Sequence, residues 1–279
     1  MPISRSSLPQ ILVFLLLSTL SGIAAAAPSA ELWPRWQAHD PASTRVIDHG
    51  AWDRWLKRHV KPSDDGINRV DYASVDAAGR QQLKDYLRAL TAIAISEYNQ
   101  AEQLAYWVNL YNALTVDVVL KNYPVDSIRD IRSGFFSAGP WGLELTRVEG
   151  QALTLDDIEH RILRPIWRDP RIHYAVNCAS LGCPNLQAQA FSASNSDALL
   201  DKGAREYINH PRGAQVVGGE LVVSSIYEWF KSDFGGNDNG VIGHLKSYAN
   251  STLADSLDKI NEIEDDRYDW RLNDVLARP

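Results

Sequence analysis

Both cysteines of the chain, Cys178 and Cys183, lie in the stretch Asn177-Cys178-Ala179-Ser180-Leu181-Gly182-Cys183-Pro184. Three chemistries are open to them. A short loop can close a disulfide if it brings the two Cα atoms within ~7 Å. A thiol beside an imidazolium or a helix N-terminus can act as a nucleophile, because either neighbour lowers its pKa. A dithiol can also exchange with other disulfides, although this pair lacks the C-x-x-C spacing of thioredoxin-like sites. A zinc site needs about four ligands. His160, His173, Cys178 and Cys183 could be assembled, but their spacing fits no common zinc pattern, so neither a metal nor another cofactor is expected.

A cysteine nucleophile needs a base, and His173 stands just upstream in Arg171-Ile172-His173-Tyr174-Ala175-Val176-Asn177-Cys178. Arg171 to Asn177 is expected to form a buried strand. Alternation then puts His173, Ala175 and Asn177 on one face and Ile172, Tyr174 and Val176 on the other. By parity Cys178 joins the second face, so it meets His173 only where the strand ends or bulges. A third group would orient the histidine, with Asn109, Asn112, Asn177, Glu102 and Asp233 as candidates.

Three of these candidates share a helix. Asn99 precedes Glu102 as a capping pair, and the run Leu104 to Leu120 is apolar nearly all round until Lys121. Such a helix is central and buried. On it Glu102, Asn109 and Asn112 fall within ~80° of one another, at ~100° per residue. Buried amides need partners, since an unpaired one costs ~1–3 kcal/mol. The stripe therefore either ties loops to the helix or lines a pocket and presents donors to a ligand.

The remaining elements frame these residues. Gln81 to Ile93 carries an amphipathic helical spacing, and Val70 to Tyr72 a short extended piece. Leu143 to Val148 reads as a strand, Thr154 as the cap of a helix, and Ser196 as the cap of another through Ile208. Gln215 to Ser224 with Gly218-Gly219 reads as a β-hairpin. Ser225 and Glu228 suggest a capping box, and helical patterns follow from Val241 to Ile260. The expected fold is α+β: a central buried helix packed on a small, mostly antiparallel sheet, with further helices at both ends.

The start of the chain has a different character. Arg5, the apolar run Ile11 to Leu17 and Ala24 to Ala27 form a secretory leader, with 1–26 removed and 27–279 left as one mature domain. The apolar run is short for a membrane span, which needs ~20 residues. The expected location is therefore periplasmic or secreted, without a membrane span after cleavage, and there the cysteines can be oxidised. The net charge is −7 and no Lys/Arg stripe is present, which argues against nucleic acid as a partner. The ligand expected is a small molecule or peptide.

AEQLAYWVNLYNALT, LTLDDIEHRILRPIW, DPRIHYAVNCASLGCPNL and SSIYEWFKSDFG follow one another in an order that resembles the domain-of-unknown-function 547 family, over about Glu97 to Gly236. RVDYASV and RYDWRLND further resemble its exported bacterial members. The resemblance marks Asn109, Tyr111, Asn112, Ile158, Glu159, His173, Asn177, Cys178, Ser180, Cys183, Pro184, Trp229, Asp233 and Phe234 as motif positions, and it implies no established activity. A central helix followed by a histidine-bearing strand is also loosely similar to papain-like and transglutaminase-like folds, where the helix carries the cysteine. Here it carries Asn109 and Asn112.

The expectation is an exported protein with a polar pocket built from the 102–112 stripe and the 173–184 segment, its cysteines disulfide-bonded. Glu102, Asn177, Ser180, Trp229 and Asp233 would bind the ligand. One alternative is a cysteine hydrolase or acyltransferase in which Cys178 and His173 act with Asn109 and Asn112. The other is a thiol–disulfide redox partner.

Overall fold

In the computed structural model, residues 28–132 and 139–277 are described. The expected leader, 1–26, lies outside the described residues.

The first helices follow from their caps and apolar faces. Helix α1 (Gly50–His59) buries Trp52, Trp55, Leu56 and His59. Strands β1 (Val60–Lys61) and β2 (Arg69–Val70) then pair antiparallel. Asp76 caps α2 (Ala77–Thr91) by accepting the Gly79 N–H, and α2 buries Leu83, Tyr86, Leu87 and Leu90 at helical spacing.

Helix α3 (Gln100–Asn122) is the centre of the molecule. Asn99 caps it through the Glu102 N–H at 3.0 Å, as its sequence suggests. Every residue from Ala105 to Leu120 is buried. The helix packs against α2, against the irregular helix at 157–163 and against the later helix at 196–208.

Strands β3 (Thr146–Val148) and β4 (Gln151–Leu153) form a hairpin. Thr154 and Asp157 then cap each other, the Asp157 N–H bonding Thr154 Oγ1 at 2.9 Å. The helix that follows is π-wound over Asp157–Leu163 before the short α4 (Arg164–Trp167). The winding has a local cause. The Arg164 N–H bonds the Glu159 carbonyl, and Pro165 has no N–H to give. The carbonyls of His160 and Arg161 are thereby left to accept the N–H groups of Glu31 (2.9 Å) and Trp33 (3.0 Å), which bind the N-terminal strand of chain across this helix.

Beyond it come α5 (Ser196–Ile208), strands β5 (Ala214–Val217) and β6 (Glu220–Ser224), α6 (Ser225–Trp229), α7 (Asp238–Tyr248), α8 (Ser251–Leu257) and β7 (Asp265–Arg267). The β5–β6 hairpin turns through Gly218 and Gly219, both at positive φ, as the glycine pair implies. Strand β7 adds to β6 in parallel. The cap of α6 is Ser224, not Ser225: Ser224 Oγ accepts the Ile226 N–H. The architecture is α+β, with small sheets around a helical body.

A larger expectation also fails. Residues 171–177 are not a strand. Asp169 accepts the Arg171 N–H at 2.9 Å, Pro170 starts a turn with its fixed φ, and Pro170–Tyr174 is a 3₁₀ helix. The apolar alternation that suggests a strand has another origin. Ile172, Ala175 and Val176 belong to the main core, whereas Tyr174 belongs to a second core around Tyr207, Tyr227 and Phe234. The segment lies between two cores and is buried on every side, so strand parity does not govern Cys178.

Candidate functional site

The polar stripe on α3 works as scaffolding. Asn112 Nδ2 donates to the Ala175 carbonyl and Asn112 Oδ1 accepts the Asn177 N–H, both at 2.8 Å. Asn109 grips Phe191 in the same way, through its carbonyl at 2.8 Å and its N–H at 3.1 Å. Glu102 accepts the Ile47 N–H at 3.0 Å. All three side chains are buried. Each replaces a backbone partner that an irregular segment would otherwise lack. They hold the neighbouring chain in place.

From Asn112 the positioning passes to Asn177. Asn177 Oδ1 accepts the Ala179 N–H at 2.9 Å, and Nδ2 donates to the Pro184 carbonyl at 2.7 Å. The second bond joins the two ends of the cysteine loop. Ala179 takes a positive φ of 58° inside it. The sulfurs of Cys178 and Cys183 are thereby brought to 2.9 Å as two thiols, and the Cys178 N–H also points at Cys183 Sγ, at 2.9 Å.

The C-terminal segment clamps this loop from outside. The N–H groups of Leu181 and Gly182 bond the carbonyls of Arg271 and Asp269, both at 2.8 Å, and the Asn273 N–H bonds Ala179. Gly182 is required by contact: a Cβ there would stand 2.7 Å from Asp269 N. Tyr207 donates its hydroxyl to the Gly182 carbonyl at 2.6 Å.

Tyr268, on the same segment, places its hydroxyl 3.0 Å from Cys178 Sγ and 2.9 Å from Ser180 Oγ. Ser180 Oγ lies 3.2 Å from the sulfur. The Tyr268 ring packs against Trp229 and Trp270, at 4.8 and 4.5 Å between centroids. Trp229 thus adjoins the cysteine loop through Tyr268.

The two thiols are unequal. Burial works to raise the Cys178 thiol, but hydrogen bonds from Cys183, Ser180 and Tyr268 outweigh it and hold the pKa below the ordinary thiol value. Burial, with the neighbouring Cys178 sulfur, pushes Cys183 well above that value. Cys178 is partly exposed and Cys183 is buried.

His173 belongs to a different network. Its Nε2 lies 2.8 Å from Asp233 Oδ2, and its Nδ1 faces Glu159 Oε1 at 3.8 Å. Phe230 stacks on the ring at 4.4 Å. Arg164 grips Asp233 with Nε at 2.6 Å and Nη2 at 3.1 Å, and its Nη1 reaches the Pro28 carbonyl. Burial alone would raise Asp233, but hydrogen bonds and charge from His173 and Arg164 prevail and hold it far below the usual carboxylate range. Burial raises Glu159, against the pull of His173, Arg164 and Tyr111. Arg164 and Asp233 line a cleft of about 390 Å³ with Arg168, Asp169, Ser232 and the N-terminal Leu32.

The expected site residues thus fall into three groups. Asn177, Cys178, Ser180 and Cys183 meet in one loop, with Trp229 beside it. His173 and Asp233 pair elsewhere, and no hydrogen bond joins His173 to Cys178. Glu102, Asn109 and Asn112 stand behind as supports. Tyr111, on α3, is buried, and burial raises its phenol well above the usual value. Arg164 and Tyr268 escape the sequence reading, although both lie inside its quoted motifs, because an arginine or tyrosine there carries no signal without its distant partner.

Among the described residues no cluster of three or more His, Cys, Asp or Glu could hold a metal ion, and no helix is long and apolar enough to cross a membrane. No curated protein and no solved structure matches the chain. Residues 95–208, from just before α3 through the cysteine loop to the end of α5, match the model of the family described as protein of unknown function DUF547.

Proposed function

We propose that the chain is an exported protein whose working site is the dithiol Cys178–Cys183, exchanging with disulfides of a small molecule or peptide. The observation that carries this reading is the 2.9 Å contact between the sulfur of half-buried Cys178, whose hydrogen bonds lower its pKa, and that of buried Cys183, whose pKa is raised. That is the division of labour between an attacking and a resolving cysteine. The Cys178 thiolate attacks one sulfur of the partner disulfide. A new S–S bond forms, the old one breaks, and the other partner sulfur leaves as a thiolate that takes a proton from water. Cys183 then loses its proton and attacks Cys178, closing the internal disulfide and releasing the second partner thiol. Two thiols are oxidised and one disulfide is reduced, with no other reagent. Run in reverse, the oxidised chain gives its disulfide to a partner dithiol.

The histidine favours this reading over a cysteine hydrolase or acyltransferase. Both ring nitrogens of His173 face carboxylates, Asp233 and Glu159, so neither is turned to take the Cys178 proton. The 1–26 leader supports export, where a reversible disulfide has oxidised partners.

The test is expression of the full chain with its own leader, followed by cell fractionation and intact-mass measurement. The reading expects leader-free protein outside the cytoplasm, lighter by two hydrogens until reductant restores them. It also expects the reduced protein to regain the bond from oxidised glutathione. A chain that keeps both thiols free under excess oxidised glutathione would refute it.

A further inference from the structure

We propose that the hydroxyls of Tyr268 and Ser180 make Cys178, rather than Cys183, the attacking sulfur of the pair; this rests on the thiol-exchange reading above. The two oxygens and the Cys178 sulfur form a closed triangle, with Cys178 Sγ to Tyr268 Oη at 3.0 Å, Cys178 Sγ to Ser180 Oγ at 3.2 Å and Ser180 Oγ to Tyr268 Oη at 2.9 Å. Each hydroxyl has one proton to give. While Cys178 is a thiol, its S–H donates to Cys183 Sγ at 2.9 Å and the hydroxyls meet a neutral sulfur. Once it is a thiolate, either both hydroxyls point at the sulfur or Tyr268 donates to Ser180 and Ser180 to the sulfur. In each arrangement at least one charge-assisted O–H···S⁻ bond forms, stronger than its neutral counterpart.

Cys183 lies in the opposite setting. Its sulfur takes the Cys178 N–H at 2.9 Å and faces the Val176 carbonyl at 4.0 Å, an acceptor that favours S–H over S⁻. The two hydroxyl donors of the triangle therefore stand against Cys178, while Cys183 has one backbone N–H and a carbonyl acceptor.

The triangle is preorganised by elements that do not depend on the sulfurs. Tyr268 is held by its ring contacts with Trp229 and Trp270 and by the adjoining Gly182–Asp269 backbone bond. Ser180 is held where it bridges to Leu272. Hydroxyls fixed in advance stabilise the thiolate without reorganising when it forms.

The test is alkylation of the reduced full chain with iodoacetamide from acid to alkaline pH, with the Cys178 adduct located by fragment-ion mass. The parent should show a midpoint for Cys178 below the ordinary thiol value of about 8.5. Tyr268→Phe and Ser180→Ala should each raise that midpoint by about one pH unit, the loss expected for one hydrogen bond to an ion. A purely packing role for Tyr268 would alter melting and leave the midpoint alone. Circular dichroism identifies the folded variants, and Ser180→Ala, the smaller change, keeps the test open if Tyr268→Phe does not fold. A folded variant that keeps the parental midpoint overturns the inference while the exchange reading stands. A parental midpoint at or above about 8.5 overturns both.

Discussion

Asn112 is the residue through which the central helix controls the cysteine loop, and its removal has a calculable effect. In Asn112→Ala the Ala175 carbonyl and the Asn177 N–H lose their partners in a site closed to water. Each unpaired buried group costs about 1–3 kcal/mol, so the pair costs about 2–6 kcal/mol. For a chain of this size 1 kcal/mol moves the melting temperature by about 2–4 °C, and the expected fall is roughly 5–20 °C. Asn112→Asp should not rescue it. A carboxylate can still accept from Asn177 but cannot donate to Ala175, and it places a charge in the core. Asn109→Ala is the matched control, because it frees Phe191 at a similar cost in stability but leaves the loop anchor intact. Thermal unfolding by circular dichroism gives the stability change, and the rate of disulfide closure with oxidised glutathione gives the effect on the sulfurs. Asn112→Ala should slow closure, whereas Asn109→Ala should leave it near parental. Equal closure rates in both variants, or an Asn112→Ala melt within about 1 °C of the parent, would refute the assignment of Asn112 as the loop's anchor.

Other substitutions separate the networks. Gly182→Ala puts a Cβ against Asp269 N and should cost about 1–3 kcal/mol by overpacking, with residues 268–274 becoming accessible to limited proteolysis. Asp233→Asn leaves buried Arg164 without its charge partner and should destabilise by about 3–5 kcal/mol in urea unfolding, while Cys178 alkylation stays parental. Burial holds His49, His160 and His244 down to about 4, below the ordinary imidazole value of about 6.5. A histidine depressed in the native state binds its proton more readily when unfolded, so stability is full above pH 6.5, falls as pH drops towards 4 and levels off below it. At most about 3 kcal/mol is lost per histidine, and a urea midpoint that stays constant from pH 6.5 to 4 would contradict the burial of these rings.

The legible parts of the fold were those set by local chemistry. Asn99 capping α3, the apolar circumference of α3 and the Gly218-Gly219 turn each depend on residues close in sequence, and each is present. The 171–177 segment misleads because two cores bury it from both sides, which erases the periodicity that separates strand from turn. The stripe Glu102, Asn109 and Asn112 was legible as buried amides on one face. Its task was not, because the partners are backbone groups of distant loops, and backbone groups leave no mark in a sequence. The same holds for Tyr268 and Arg164, whose partners lie 90 and 69 residues away.

The separation of His173 from the thiols has a consequence for how the site titrates. In a cysteine–histidine pair the reactive state is an ion pair, so reactivity carries two ionisations and fails when either is wrong. Here His173 is engaged by Asp233 and Glu159, and the groups touching Cys178 are two hydroxyls and a second sulfur. Hydroxyls at Ser180 and Tyr268 do not titrate in the range where the thiol does: serine has no accessible ionisation, and burial raises Tyr268 well above the usual phenol value. Cys178 should therefore follow a single ionisation curve from acid to neutral pH, unmoved by His173→Gln where that variant folds. A second acid-side inflection that disappears with His173→Gln would place the histidine back in the chemistry and restore the hydrolase reading.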